Sequence, residues 1–291
     1  MVTNNAANIP TGASSTVLQG AGVGTAPAFS TATYPATTTS QQLLYSTATN
    51  VVGQLTTANS ALAATNSSGT LAMRLFSVVT QLFTSTGTYT PTAGMLYCKI
   101  ECLGGGGAGG GAAATGVATS SCGGGGGGGE YASGIFSAAT IGASKAVTIG
   151  AAGAANSGAA GGNGGNTSVG ATNISANGGV GGTSSGALAT SNADGGTGGT
   201  GGTGGDFRTP GQTGGTGYGN ITAVILTGGY GGSTQYGAGG YCINTGASNQ
   251  GQPGLGYGAG GGGSSNFTSQ GALSGGVGIA GVVIITEYVI A

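Results

Sequence analysis

The amino-acid sequence predicts an all-β protein with an extended, oligomerising chain. Three observations lead to this prediction: an apolar–turn–apolar repeat before residue 84, an alternating segment at residues 95–103, and long glycine islands between the later apolar segments. Alternation with a period of two is the pattern of a half-buried strand. We expect two domains, a hairpin-repeat region at residues 1–83 and a β-sandwich-like, glycine-rich domain at residues 84–291.

The first domain contains repeated units that are too short to bury a core alone. In each unit an apolar segment is followed by turn residues and a second apolar segment, which is typical of a β-hairpin. The clearest units lie at residues 17–29, 43–52 and 61–71. Such units are stable only when they stack on neighbours or on other chains, which indicates a slender, intertwined shaft. The pattern of residues 74–83 fits either a short helix or a strand.

The second domain begins with Thr84 and contains the alternating segment. Alternation places Leu96, Cys98, Ile100 and Cys102 inward, and Tyr97, Lys99 and Glu101 outward. Further strands are predicted at residues 130–136, 145–149, 167–169, 173–176, 221–227 and 277–290.

Glycine islands separate these strands, at residues 104–111, 123–129, 158–165, 195–205 and 258–263. The run from Gly195 repeats with period three, which suits an extended helix of the polyproline II class, here polyglycine II. Segments without side chains can pack closely and bond main chain to main chain, which accounts for their backbone donors and acceptors. Flexible glycine loops are the alternative. Collagen is disfavoured because the period breaks and only 6 residues are proline.

Composition excludes several classes of function. Histidine is absent, so histidine acid–base chemistry is excluded. Only 4 residues are Lys or Arg, and they are isolated, so no basic surface for nucleic acid is expected. Folding 72 glycines has a large entropy cost, which favours dense hydrogen bonding or oligomeric packing. No cofactor is expected.

Neither a signal peptide nor a membrane span is predicted, because the first ten residues lack a basic and an apolar region and no apolar run reaches 18 residues. The four cysteines lack zinc-site spacing. Cys98 and Cys102 would lie about 13 Å apart on one strand, too far for a disulfide. Buried free thiols are therefore expected.

Catalytic and metal motifs are weak. Gly-x-Gly-x-x-Gly occurs through composition alone, and no P-loop lysine follows a glycine run. Residues 201–207 match half of a calcium-binding β-roll repeat, but Arg208 stands where an apolar residue belongs. The five carboxylates are too far apart in sequence to argue a hydrolytic pair. We expect Asp206 and Arg208 to form a local surface pair, and we expect no enzyme activity.

The aromatic residues of the second domain give the clearest candidate binding site. Tyrosine on a background of small residues offers a large, rigid contact area with a polar tip. These rings either contact a receptor or pack over glycine segments and at contacts between chains. The sequence leaves both interpretations open. The candidate receptor-binding residues are Phe207, Tyr218, Tyr230, Tyr236, Tyr241 and Tyr257.

The order of these blocks resembles the glycine-rich tail-fibre proteins of tailed bacteriophages. The resemblance rests on residues 88–91, 97–107, 128–134, 164–168, 175–179 and 281–288, and it covers nearly the whole chain. It implies a trimeric fibre whose glycine-rich C-terminal domain is distal and contacts the host. No virion-attachment domain is evident, so the chain joins another fibre or baseplate protein or forms a fibre alone.

The expected function is therefore a non-catalytic, host-receptor-binding adhesin that acts as a homotrimer. Its partner would be a bacterial surface protein or polysaccharide, with no nucleic acid and no membrane insertion. It would be assembled in the host cytoplasm and be located in the virion tail fibre. A self-assembling structural filament without a receptor is the alternative, because open strand edges invite addition of further chains. Ice binding through Thr197, Thr200 and Thr203 is a third hypothesis.

Overall fold

The computed structural model describes residues 16–19, 28–35, 40–59, 61–65, 69–242 and 247–290. The chain forms two compact units, one of residues 1–77 with 290–291 and one of residues 78–289. The described chain is nearly all β, as predicted, with one four-residue helix. No helix in the described ranges is long and apolar enough to cross a membrane. The predictions for residues 1–10 lie outside the described residues.

The first unit consists of antiparallel β-hairpins. Its strands are β1 (Leu18–Gln19), β2 (Ala28–Phe29), β3 (Gln42–Ala48), β4 (Val51–Thr56), β5 (Ala61–Thr65) and the first part of β6 (Leu71–Phe83). The pairs β1–β2, β3–β4 and β5–β6 confirm the three predicted hairpins. Residues 20–27 and 66–68 of the predicted turns lie outside the described residues. Residues 74–83 are strand, which settles the choice between helix and strand.

The second unit contains the last part of β6 and all later elements. These are β7 (Gly87–Tyr89), β8 (Met95–Leu103), β9 (Ser121–Cys122), β10 (Tyr131–Ser137), α1 (Ala138–Ile141), β11 (Lys145–Thr148), β12 (Thr167–Val169), β13 (Ile174–Ala176), β14 (Thr190–Ala193), β15 (Phe207–Thr209), β16 (Gly217–Asn220), β17 (Ile225–Thr227), β18 (Gly237–Ala238), β19 (Leu255–Gly256), β20 (Ser265–Asn266) and β21 (Val282–Ile290).

Two sheets of this unit share a hydrophobic core. One sheet has the order β15–β10–β8–β21 followed by the last part of β6, and the other has the order β13–β12–β11–β7. Fully buried side chains from both sheets fill the space between them, among them Tyr89, Ile100, Val147, Ile174 and Ile285. Smaller antiparallel sheets, β14–β16–β17, β18–β19 and β20–β9, lie elsewhere in the unit.

The predicted alternation of β8 is correct from Cys98 onward and wrong at Leu96. Cys98, Ile100 and Cys102 are fully buried, whereas Leu96 is 48% exposed and Met95 is buried instead. The register between β8 and β21 shifts next to Met95, so the strand changes phase there. Two predicted strands are shorter by several residues: residues 221–224 form a turn, and residues 277–281 form a glycine segment. The strands predicted at residues 145–149 and 173–176 are each shorter by one residue.

The glycine islands are ordered and bond to one another through the main chain. Along residues 104–111, the N–H groups of Gly104, Gly107 and Gly110 donate to one neighbour, residues 123–130. The N–H groups of Gly105, Ala108 and Gly111 donate to a second, residues 159–165, and those of Gly106 and Gly109 donate to a third, residues 274–281. Each neighbour is thus contacted at every third residue. Ordered segments, not flexible loops, satisfy these backbone groups.

Three segments lie at the centre of this network: residues 104–111, 123–130 and 258–264. Each of them exchanges backbone hydrogen bonds with the other two and with four surrounding segments. The surrounding segments are residues 150–154, 159–165, 177–183, 194–200, 210–215, 228–233, 239–241, 250–254 and 274–281. Main-chain bonding therefore takes the place of a side-chain core in this part of the unit.

The four cysteines are free and buried, as predicted. Burial raises the pKa of Cys98 and of Cys122, and it raises the pKa of Cys102 to about 12. Little reactive thiolate therefore exists at these three residues near neutral pH. We expect iodoacetamide to add nothing to these thiols in the folded protein and to modify all four in concentrated urea, as read by intact mass. A labelled thiol in the folded protein would contradict this burial.

Candidate functional site

Three neighbouring glycine-rich segments form one side of the hydrogen-bonded network. They are residues 210–215, 228–233 and 239–241, and we call them the Gln212 face. The Gln212 N–H donates to the Ser233 carbonyl, and the Gly215 N–H donates to the Tyr230 carbonyl. The Gly231 N–H donates to the Gly240 carbonyl, which attaches the third segment. This backbone framework holds the few side chains of the face at fixed positions.

Two adjoining clefts lie on the Gln212 face. The first, of about 340 Å³, is bordered by Tyr230, Gln212, Thr213, Ser233 and Ala238. The second, of about 260 Å³, is bordered by Tyr131, Pro210, Gln212, Ser233 and Thr234. Gln212 and Ser233 therefore line both clefts. The first volume is at the lower end of the range for small-ligand sites, roughly 300–1,000 Å³, and the second is slightly below it.

The polar side chains between the clefts are held by hydrogen bonds. The backbone N–H of Ser233 donates to Gln212 Oε1 at 3.1 Å. The N–H of Gly239 donates to Ser233 Oγ at 3.0 Å, and the hydroxyl of Thr234 donates to the Tyr257 carbonyl at 2.7 Å. Since Gln212 Oε1 accepts inside the protein, its Nε2 group is the part of the amide that is available to a ligand.

An aromatic cluster lies beside the second cleft. The ring of Tyr131 packs edge-on against Phe207 at 6.3 Å and against Tyr236 at 6.1 Å between centroids. The hydroxyls of Tyr131 and Tyr236 both donate to Glu101 Oε1, at 2.5 and 3.1 Å. Lys99 Nζ lies 3.1 Å from the same oxygen, which confirms that Lys99 and Glu101 share one face of β8.

These contacts change the ionisation of the cluster. Burial raises the pKa of Glu101, but hydrogen bonds from Tyr131 and Lys99 and the positive charge of Lys99 outweigh it, so the pKa of this carboxyl is lowered from its ordinary value. Burial raises the pKa of Tyr131 and of Tyr236, and the neighbouring carboxylate raises both further. The two tyrosines therefore remain hydrogen-bond donors at neutral pH.

The lowered pKa of Glu101 predicts acid sensitivity. A carboxyl whose folded pKa is depressed stabilises the fold above its unfolded pKa, and this stabilisation is lost as pH falls through the folded pKa. Between pH 6 and a pH below about 4, the wild-type protein should lose more stability than Glu101→Gln. Urea unfolding of both proteins at the two pH values measures the difference. An equal loss in the two proteins would contradict the role of Glu101.

The structure brings only some of the six candidate aromatic residues together. Phe207 and Tyr236 meet through Tyr131, and Tyr230 borders the first cleft. All six are exposed, from 37% for Tyr236 and Tyr257 to 60% for Tyr230. The carbonyl of Tyr257 is bonded to Thr234, which lines the second cleft. Tyr241 lies in the third segment of the Gln212 face.

Tyr218 lies in β16, and its hydroxyl accepts a hydrogen bond from Asn220 at 3.4 Å. Among the described residues, no ring contact joins Tyr218 to the other five candidates. Sequence reasoning missed Tyr131, Gln212 and Ser233. A sequence signal for Gln212 and Ser233 was present, since each is a polar residue in a glycine-rich segment with few other side chains.

The predicted pair of Asp206 and Arg208 is wrong. Arg208 Nη1 instead lies 3.0 Å from Oε1 of Glu130, whose side chain is only 2% exposed. Asp206 accepts a hydrogen bond from the Ile135 N–H at 2.8 Å. The antiparallel pairing of β15 with β10 brings Arg208 opposite Ala132, and its side chain reaches Glu130.

Glu130 is the centre of a buried clamp. Its Oε2 accepts from the N–H groups of Asn177 at 3.0 Å and Gly202 at 2.8 Å. Arg208 also donates to the carbonyls of Ser175 and Gly204. These hydrogen bonds and this ion pair therefore join the end of a central glycine segment to the surrounding segment that begins at Asn177, to Gly202 and to β15.

A second buried carboxylate, Glu287, joins β21 to the chain around β7. Its Oε1 accepts from the Tyr89 hydroxyl at 2.7 Å, the Thr92 N–H at 3.1 Å and the Gln81 amide at 3.2 Å. Burial raises the pKa of Tyr89, and the hydrogen bond to Glu287 raises it further. These contacts describe a structural link. No group of three or more potential metal ligands occurs among the described residues.

One comparison with known proteins identifies a relationship. A family model described as a glycine-rich domain matches residues 82–288, most of the chain. Among curated proteins, none matches this chain.

Proposed function

This chain belongs to the glycine-rich domain family, and we propose that it is a bacteriophage tail-fibre protein that acts as a non-catalytic, host-receptor-binding adhesin. Its receptor is a molecule of the bacterial cell surface. In this proposal the protein is assembled in the host cytoplasm and is carried in the virion tail fibre, where it contacts a further fibre or baseplate protein.

The observation that supports an adhesin most strongly is the display of exposed aromatic rings beside two clefts on a hydrogen-bonded framework. Rigid aromatic residues contribute contact area at a low entropic cost. In the proposal, the glycine segments are polyglycine II helices, which is supported by their contact with each neighbour at every third residue. Such a framework keeps the binding groups in place before the receptor arrives, which lowers the cost of binding.

A homotrimer is supported by the surface of the first unit. Its exposed apolar side chains include Leu43, Leu44, Leu62 and Leu75, and none of its described apolar side chains is buried. Isolated two-stranded hairpins are marginally stable in water at best. Packing against the same hairpins of two further chains would bury these residues. Three weak receptor sites would then combine through their effective concentration.

Simultaneous substitution of Tyr230, Tyr236 and Tyr241 by alanine tests the adhesin. Binding of the labelled protein to susceptible bacterial cells should weaken at least about tenfold, because buried aromatic contacts commonly dominate binding energy. A matched control carries Val117→Ala and Leu188→Ala, two exposed apolar residues that line neither cleft. Unchanged cell binding by a folded triple variant would disprove these contacts.

A self-assembling structural filament is the second candidate, and the two-stranded sheet β3–β4 favours it. Leu43 and Leu44 of β3 are exposed, and among the described residues no strand other than β4 pairs with β3. Light scattering across a concentration series separates the candidates. A constant mass of three chains supports the adhesin. A mass that rises with concentration supports the filament, since heterologous contacts do not close.

A further inference from the structure

We propose that the two clefts of the Gln212 face are adjoining subsites for an uncharged oligosaccharide chain. This inference rests on the proposed adhesin function and names the chemical class of its receptor. It assigns the first cleft, beside Tyr230, and the second cleft, beside Tyr131, to neighbouring sugar residues of one glycan.

The first argument is the chemistry of the cleft walls. Both clefts are bordered by amide, hydroxyl and aromatic side chains together with backbone, and neither is bordered by a charged side chain. The nearby Glu101 carboxylate already accepts hydrogen bonds from Tyr131 and Tyr236 and is paired with Lys99. An ionised ligand would lose hydration in these clefts without gaining a partner of opposite charge. The walls therefore select a neutral, hydroxyl-rich ligand.

The second argument is the placement of hydrogen-bond donors. Gln212 lines both clefts, and its Oε1 is occupied by the Ser233 N–H, so the two N–H groups of Nε2 are oriented by an internal bond. Ser233 Oγ accepts from the Gly239 N–H, which leaves its O–H to donate. Donors fixed by internal hydrogen bonds are suited to the oxygen atoms of a sugar. One amide shared by two clefts can contact two consecutive sugars.

The third argument is the exposed aromatic ring beside the first cleft. Tyr230 borders this cleft and is 60% exposed, whereas Tyr131, which borders the second cleft, is only 6% exposed. The face of an aromatic ring is electron-rich, so it attracts the C–H groups on the flat side of a sugar ring. A sugar in the first cleft can thus place its apolar face on Tyr230 and its hydroxyls on the polar residues between the clefts.

The clefts are also better suited to a glycan than to a protein receptor. They are small, whereas specific protein interfaces bury roughly 1,200–2,000 Å² of surface. A weak, repeated sugar contact fits a multivalent adhesin, because a polysaccharide offers the same unit to each chain of an oligomer.

The test is an NMR titration of the full-length protein with defined probes. The probes are neutral tetrasaccharides of glucose, galactose, mannose and N-acetylglucosamine, with a tetrasaccharide of galacturonic acid as the charged comparison. At least one neutral probe should shift the backbone amide signals of Gln212, Tyr230 and Ser233, and the charged probe should not. If no neutral probe shifts these signals at about 10 mM, or if only the charged probe does, the inference is wrong.

Variants locate the binding site. Gln212→Ala should weaken binding of the active tetrasaccharide about tenfold, the effect of losing hydrogen bonds to two sugars. Gln252→Ala is the matched control, because Gln252 lies in another glycine segment and lines neither cleft. Equal affinity of the Gln212→Ala variant and the wild-type protein would overturn the assignment.

A cell-binding assay separates failure of this inference from failure of the adhesin function. Bacterial cells are treated either with periodate, which oxidises surface sugars, or with protease. Loss of binding after periodate and retention after protease support the inference. Loss only after protease overturns the inference and leaves the adhesin function standing. Absence of binding to all untreated strains of a broad panel contradicts the adhesin function itself, and the inference with it.

Discussion

Replacing Gly126 by alanine should strongly destabilise the glycine-rich unit. A Cβ at Gly126 would lie 2.2 Å from the carbonyl oxygen of Gly107. Neither backbone can move away easily, because the Gly126 N–H donates to Gly261 and the Gly107 N–H donates to Gly127. The substitution therefore pushes two central segments apart. We expect a loss of at least about 3 kcal/mol, the upper range for overpacking, measured by urea unfolding.

Gly186→Ala is the matched control for this prediction. An added Cβ at Gly186 meets no atom within 4 Å, and its backbone does not lie in the left-handed region. The change should be neutral or should stabilise by about 0.4–1 kcal/mol, because alanine restricts the unfolded chain. If both variants unfold at the same urea concentration as the wild-type protein, the close packing of residues 123–130 against residues 104–111 is wrong.

Replacing Arg208 by methionine should have the second-largest effect. The change leaves the buried Glu130 carboxylate without its cationic partner and frees the carbonyls of Ser175 and Gly204. Removing one partner of a buried ion pair costs about 3–5 kcal/mol. Urea unfolding of the variant near neutral pH measures this loss.

Two further variants make this measurement specific. Lys99→Met breaks a more exposed pair, in which the Lys99 side chain is 42% exposed. It should cost no more than about 1 kcal/mol. In the double variant Arg208→Met with Glu130→Gln, part of the lost stability should return, because no unpaired charge remains buried. If Arg208→Met and Lys99→Met lose the same stability, the buried clamp is not as described.

Local patterns predicted much of the strand content. Residues 95–103 and 167–169 were predicted with the bounds that the structure has, because alternation and β-branched composition act within one strand. The hairpins at β3–β4 and β5–β6 were also predictable, since turn residues lie directly between two apolar segments. Short strands such as β9 and β18 carry no such pattern. They exist because distant partners pair with them.

The candidate site was predictable only in part. Exposed aromatic residues on a glycine background were evident from composition, and Tyr230 and Tyr236 came from that signal. The grouping of Tyr131 with Phe207 and Tyr236 depends on ring contacts between residues that are 76 and 105 positions apart in the sequence. Likewise, Arg208 was assigned to Asp206 because sequence reasoning favours near neighbours, whereas strand pairing brings Glu130 to it.

The sequence by itself determined the all-β class, the hairpin units, the buried free cysteines and the need for glycine segments to bond through the main chain. These properties follow from residue type and short-range spacing. Only the tertiary structure decided which segments are neighbours, which three lie at the centre and which side chains meet at the clefts. Glycine segments have nearly identical local chemistry. Which of them become neighbours therefore depends on contacts between residues far apart in the sequence and on the close approach of backbones without Cβ atoms.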